Sequence, residues 1–198
     1  MPFEVVTIGD CTLYRGDCRD VLPALQPVDC VITDPPYESE AHTKQCRVTR
    51  NGMSTTEPLP FAQMDYGLRD AAAKEIVRLS NGWALVFCQV EAVTLWRDVL
   101  ASHGATYKRS MVWVKPDGMP QFSGDRPGMG YESIVASWCV SGRSTWNGGG
   151  RTGVFTVNKN EGKGAAPHPT TKPQRLMQDL VRLFSCSGDT ILDPFMGS

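Results

Sequence analysis

An acid, two prolines and an aromatic stand in a row at Asp34-Pro35-Pro36-Tyr37, directly after the apolar run 28–32. The run reads as a buried strand. A proline has no N–H for a strand ladder, and the residue before it is pushed out of the helical region. The chain therefore leaves the strand end in a fixed, extended turn. That turn offers a carboxylate, backbone carbonyls that no proline N–H can pair, and one ring. A planar heterocycle bearing an exocyclic amine could be held there, with acceptors in its plane and a ring on its face. A strand closed by a proline turn, with no chemistry at all, is the plainer reading.

A second cluster lies at the other end of the chain. His168-Pro169-Thr170-Thr171-Lys172-Pro173 opens a helix whose apolar face is Leu176, Met177, Leu180, Val181, Leu183 and Phe184, with Gly188 to stop it. Thr190-Ile191-Leu192 reads as a strand running into Asp193-Pro194-Phe195-Met196-Gly197-Ser198. Such a small-residue turn lets a backbone approach a nucleoside closely. Near the start, the strand 12–16 runs into Gly16-Asp17-Cys18.

Taken together and in this order, these motifs resemble the amino-group DNA methyltransferases, which methylate adenine N6 or cytosine N4. The catalytic motif comes first and the cofactor motif last, as in their circularly permuted β group. The resemblance implies an α/β, Rossmann-like, doubly wound mixed sheet that uses S-adenosyl-L-methionine. It implies that Asp34, Pro35, Pro36 and Tyr37 are catalytic. Asp193, Pro194, Phe195, Gly197 and Ser198 would line the methionine and sulfonium end of the cofactor, with Asp34 alongside. Lys172, Thr170 and His168 would hold its carboxylate, and Asp17 and Cys18 would meet its adenine. Asp at the first motif position favours adenine N6 in a flipped-out base of duplex DNA. Cytosine N4, an RNA base or protein glutamine as substrate, and an inactive DNA-binding relic remain as alternatives.

The elements that must position these residues follow from pattern. A short helix over 19–25, with Asp17 as a possible cap, links the strands 12–16 and 28–32 into a βαβ unit. That unit would set Asp17 and Asp34 at the carboxyl ends of two parallel strands, where ligands bind in open α/β sheets. A helix over 71–79 is capped by Asp70 and ended by Asn81-Gly82, and 83–88 is a buried strand. A helix over 91–102 presents Ala92, Leu95, Trp96, Val99 and Leu100 on one face, with His103 capping its end. Strands at 107–114 and 132–140 follow, and the sheet so read has six strands. The family's sheet has seven, so a further helix–strand–helix unit is expected beyond Ser198.

Residues 38–66 are polar and without period, a long loop placed as a lid after the catalytic turn. Residues 116–130 and 141–166 are rich in glycine and irregular, and 116–166 as a whole reads as a small target-recognition region. Between residues 141 and 175 there are six basic side chains against one acid, Glu161, on a chain of net charge −1. Phosphate neutralisation is the functional reading of that asymmetry. The cations expected on double-stranded DNA are Lys44, Arg47, Arg50, Arg126, Arg143, Arg151, Lys159 and Lys163. Trp138 and Trp146 could stack on bases or belong to the core.

The 198 residues suffice for one domain with a substantial core. There is neither an 18-residue apolar run nor a basic-then-apolar leader, so neither a membrane span nor secretion is expected. Seven cysteines without a C-x-x-C pair, and histidines 42, 103 and 168 without a second ligand nearby, point to a reducing cytoplasm and no metal, and the resemblance implies a bacterial or phage-encoded protein. A monomer or homodimer is expected.

Overall fold

A computed structural model of the chain describes residues 3–36, 64–118, 120, 122, 124–161 and 171–196. Its centre is a six-stranded mixed sheet in the order β7-β5-β6-β4-β3-β8. The strands are β3 (Val28–Thr33), β4 (Ser80–Cys88), β5 (Thr106–Val114), β6 (Tyr131–Trp138), β7 (Val154–Thr156) and β8 (Ile191–Leu192). β6 is antiparallel to β4 and β5; the other pairings are parallel. β3, β4, β5 and β8 therefore end on one edge, where β6 begins.

The side-chain alternation of β3 explains the layering. Cys30 and Ile32 point to one face of the sheet and Val31 to the other, and all three are buried. The first face is covered by α4 (Gln174–Phe184), whose Leu176, Leu180, Leu183 and Phe184 pack on Trp83, Leu85, Phe87 and Ile134. The second face is covered by α2 (Tyr66–Leu79) and α3 (Val93–Ser102), through Ala72, Ala73, Ile76, Trp96 and Leu100 against Ala84, Val86 and Val135. Near-continuous apolar strands are what a sheet covered on both faces requires. Burying one such Leu or Ile stabilises the fold by roughly 1.5–3 kcal/mol.

The strand 12–16 departs from expectation. It appears as β2 (Cys11–Arg15), paired antiparallel with β1 (Glu4–Ile8) in a separate two-stranded hairpin. A two-residue loop, Gly9-Asp10, joins them, and its first position has φ 57°, which suits glycine. A local partner two residues away costs little closure entropy, whereas β8 lies beside β3 and offers β2 no direct place next to it. The βαβ unit expected over residues 12–32 does not form: α1 is a single turn, Cys18–Val21, followed by a 3-10 turn over Leu22–Ala24. The sixth strand of the sheet is instead β7, a three-residue parallel edge strand within the stretch read as irregular.

Smaller boundaries also move. α2 starts a turn early because Asp65, not Asp70, caps it, accepting from Leu68 N at 2.7 Å. Asp70 faces the ring of His103 at 2.9 Å, and His103 is the residue at the C-terminal end of α3. Asn81 and Gly82 lie inside β4. Gly82 is needed there, since a Cβ would stand 2.8 Å from the Asp29 carbonyl. Leu95 is exposed, off the apolar face to which the periodicity assigned it. No helix among the described residues is long and apolar enough to cross a membrane.

Candidate active site

β3 delivers Asp34 to the strand edge and β8 delivers Asp193 beside it. Thr33, fully buried, donates its hydroxyl to Asp193 Oδ1 at 2.5 Å, and Phe195 N donates to the same oxygen at 2.9 Å. The two acids at the ends of neighbouring parallel strands are thus Asp34 and Asp193. Asp17 belongs to the hairpin side. Its carboxylate takes the backbone N–H of Arg19 at 2.9 Å and the Arg19 guanidinium at 2.6 Å. The bonds from Arg19 hold that carboxyl down at about 2. Cys18 faces Ala71, Ala72 and Glu75 of α2 across a shallow groove.

Lys172 comes from the segment before α4 and reaches back over the sheet. Its Nζ lies 2.5 Å from Asp34 Oδ2, 3.3 Å from Glu132 Oε2, and 5.1 Å from the centroid of the Phe87 ring. Glu132, near the start of β6, also pairs with Lys115 at the end of β5. Lys115 in turn sits 4.7 Å above the Trp113 ring. The side chains of Lys115, Glu132 and Lys172 are all largely buried. Neither Glu132, Lys115 nor Thr33 was singled out from sequence. A lysine closing an apolar strand and an acid opening the next one are the only signals they leave.

Burial drives the Asp34 carboxyl above the usual carboxylate range, and the Lys172 ammonium opposes that rise. Asp193 is likewise pushed up by burial, against the Thr33 hydroxyl and the Phe195 amide. Asp34 Oδ1 is covered and has no hydrogen-bond partner among the described residues. A buried acceptor left unpaired costs on the order of 1–3 kcal/mol, which an incoming donor would recover. Among the described residues, three carboxylates (Asp34, Asp193, Glu132) face two ammoniums (Lys172, Lys115). The edge therefore favours a ligand that carries positive charge and N–H donors.

Pro35 is buried and Pro36 half-buried beside Asp34, while Pro194 and Phe195 are half-buried after β8. Tyr37, Lys44, Arg47, Arg50, Lys163, His168, Thr170, Gly197 and Ser198 lie outside the described residues, as does nearly all of the lid stretch. Of the five described basic residues between 141 and 175, Lys172 has partners in the site and Arg175 stands 3.0 Å from Glu161. Arg126, Arg143 and Arg151 are exposed and Lys159 half-buried. The loop that carries Arg143 and Arg151 is fastened to the end of α4, where Asn147 donates to the carbonyls of Arg182 and Ser185. Trp146 packs on Phe184, and Trp138 on Trp83, so both belong to the core margin.

Residues 136–198 match the family model described as DNA methylase, of the N6/N4 type. Type II methyltransferase M.HinfI of Haemophilus influenzae is 24% identical over 216 residues, covering 94% of this chain and 59% of its own length. Over its last third the chain is thus similar in sequence to N6/N4 DNA methylases, and it shares the fold of solved DNA methyltransferases. The M1.HpyAVI–SAM complex superposes with TM-score 0.67 at 22% identity, covering 92% of this chain and 80% of that one. PvuII DNA methyltransferase, described as cytosine-N4-specific, superposes with TM-score 0.66 at 12% identity, covering 90% and 71%. The chain thus spans about three fifths of the length of M.HinfI. The mixed α/β sheet of these structures is the one seen here, and the M1.HpyAVI structure was solved as its complex with SAM.

Proposed function

We propose that the chain is the catalytic part of a site-specific DNA methyltransferase acting on adenine N6. The observation that carries this reading is the buried, unpaired Asp34 Oδ1 beside Pro35, at a strand edge shared with Asp193. S-adenosyl-L-methionine, when bound, supplies a methyl group on a positively charged sulfur. The surplus of carboxylates at the edge fits that charge. Asp193, held by Thr33 and the Phe195 amide, presents a fixed carboxylate to the cofactor side.

The purine amine is a poor nucleophile because its lone pair is delocalised into the ring. Hydrogen bonds from the amine to Asp34 Oδ1 and the Pro35 carbonyl favour a pyramidal nitrogen with its lone pair directed at the methyl group. These acceptors gain strength as positive charge develops on the nitrogen, so they stabilise the transition state more than the ground state. Tyr37 is proposed to stack on the base. A base within a duplex cannot reach this edge, so the nucleotide is flipped out. Arg126, Arg143, Arg151 and Lys159, with Lys44, Arg47, Arg50 and Lys163, are proposed to neutralise phosphates, and His168, Thr170, Gly197 and Ser198 to complete the cofactor's surroundings.

Incubating the chain with duplex DNA and methyl-labelled cofactor, then digesting to nucleosides, tests the reading. N6-methyladenine supports it. N4-methylcytosine would move the target to cytosine, and label found only in protein or RNA would remove DNA as the substrate.

A further inference from the structure

Four side chains of alternating charge run across the strand ends: Asp34 after β3, Lys172 before α4, Glu132 in β6 and Lys115 after β5. Lys172 bridges β3 and β6 by passing over the Phe87 ring of the strand between them. We propose that Glu132 is a positioning residue for methyl transfer: it shares the Lys172 ammonium with Asp34, leaving Asp34 a strong acceptor with Oδ1 open to a substrate amine. This rests on the reading of Asp34 given above.

The reasoning is electrostatic. In a poorly solvated site, an ammonium facing one carboxylate alone closes onto it and drains its power to accept a further hydrogen bond. A second carboxylate on the other side of the ammonium shares its charge even where the ammonium stands nearer the first, as here at 2.5 Å from Asp34 and 3.3 Å from Glu132. Glu132 can do this because Lys115, fixed above Trp113, takes Oε1 and leaves Oε2 for Lys172. The charged groups facing Asp34 among the described residues are Lys172, Glu132, Lys115 and Asp193, and their signs fix the outcome. Removing Glu132 makes Asp34 easier to ionise and a weaker acceptor. Removing the charge of Lys115 does the reverse.

Carbon-13 NMR titration of the Asp34 carboxyl in the ligand-free chain tests this directly, beside the pH profile of kcat/KM. For Glu132→Gln, the Asp34 midpoint and the acid limb both move to lower pH, by about one unit. Its kcat falls roughly tenfold, while KM for the cofactor stays within about twofold. For Lys115→Met, the midpoint and limb move to higher pH. Either variant, checked for folding by thermal melt, carries the sign test alone. Midpoints that stay put, or that move the same way in both variants, overturn the proposal and reduce the lysine–glutamate chain to a structural tie. Absence of methyl transfer by the unaltered chain would overturn the underlying reading of Asp34, and with it this one.

Discussion

Lys172 Nζ stands 2.5 Å from Asp34 Oδ2, although 138 positions separate the two residues in the chain. The two ends of the chain meet there, since Lys172 precedes α4 and Asp34 ends β3. The lysine expected to meet a cofactor carboxylate also pairs with two protein carboxylates, Asp34 and Glu132.

The pH dependence of activity follows from burial. In the proposed mechanism Asp34 accepts a hydrogen bond from the substrate amine as a carboxylate, and its carboxyl is pushed above the ordinary value near 3.8 by burial. Activity should therefore be lost on acidification at a higher pH than an exposed aspartate would give. The stability contribution has the opposite sense to that of a salt-bridged surface acid. A carboxyl raised in the folded state costs stability once it ionises, so the Asp34 and Asp193 contributions weaken the fold as pH rises from about 3.8 through their raised values. Stopped-time assays and thermal melts across pH 4–8 check both; an acid limb near the ordinary carboxylate value would contradict them.

Thr33→Val removes the hydroxyl that orients Asp193 while keeping the volume. Loss of one hydrogen bond to a charged group is expected to weaken cofactor binding by roughly tenfold, and to cost the fold about 1–2 kcal/mol. Isothermal titration calorimetry with S-adenosyl-L-methionine measures the first and a melt the second.

Gly82→Ala puts a Cβ 2.8 Å from the Asp29 carbonyl, at the crossing of β4 and β3. Relief requires the central strands to part. A loss of about 1–3 kcal/mol is expected, with a melting temperature lower by on the order of 2–10 °C.

Arg143 and Arg151 are exposed on a loop pinned to α4 by Asn147. If both neutralise phosphates, replacing both with Gln lowers the slope of log affinity for DNA against log salt by about 1.8. Fluorescence anisotropy at several salt concentrations reads this slope. An unchanged slope would leave the two arginines as solvated surface.

How far the chain can be read without coordinates depends on which forces act locally. The strand ending at Asp34, the helix after Pro173 and the buried Trp83 strand carry their own periodicity and breakers, and each forms where its pattern puts it. The edge occupied by Asp34 and Asp193 follows from two such strands ending in the same way. What the pattern misses is set by partners distant in sequence. β2 alternates like any half-buried strand, and nothing in it says that β1 will pair with it. β7 is three residues long, too short for a period. Glu132 and Lys115 resemble ordinary charged residues at strand ends until Lys172 is placed above Phe87. Leu95 has the spacing of a core residue but faces solvent, because helical periodicity gives a face only to within a residue or so.

The central claim is that the Asp34 carboxylate accepts from the amine that receives the methyl group. Comparing Asp34→Ala with the unaltered chain, under single turnover with labelled S-adenosyl-L-methionine and duplex DNA, tests it most directly. The expected result is a loss of transfer of at least about 10²–10³-fold, with cofactor binding weakened but measurable. Undiminished transfer by Asp34→Ala would contradict the claim.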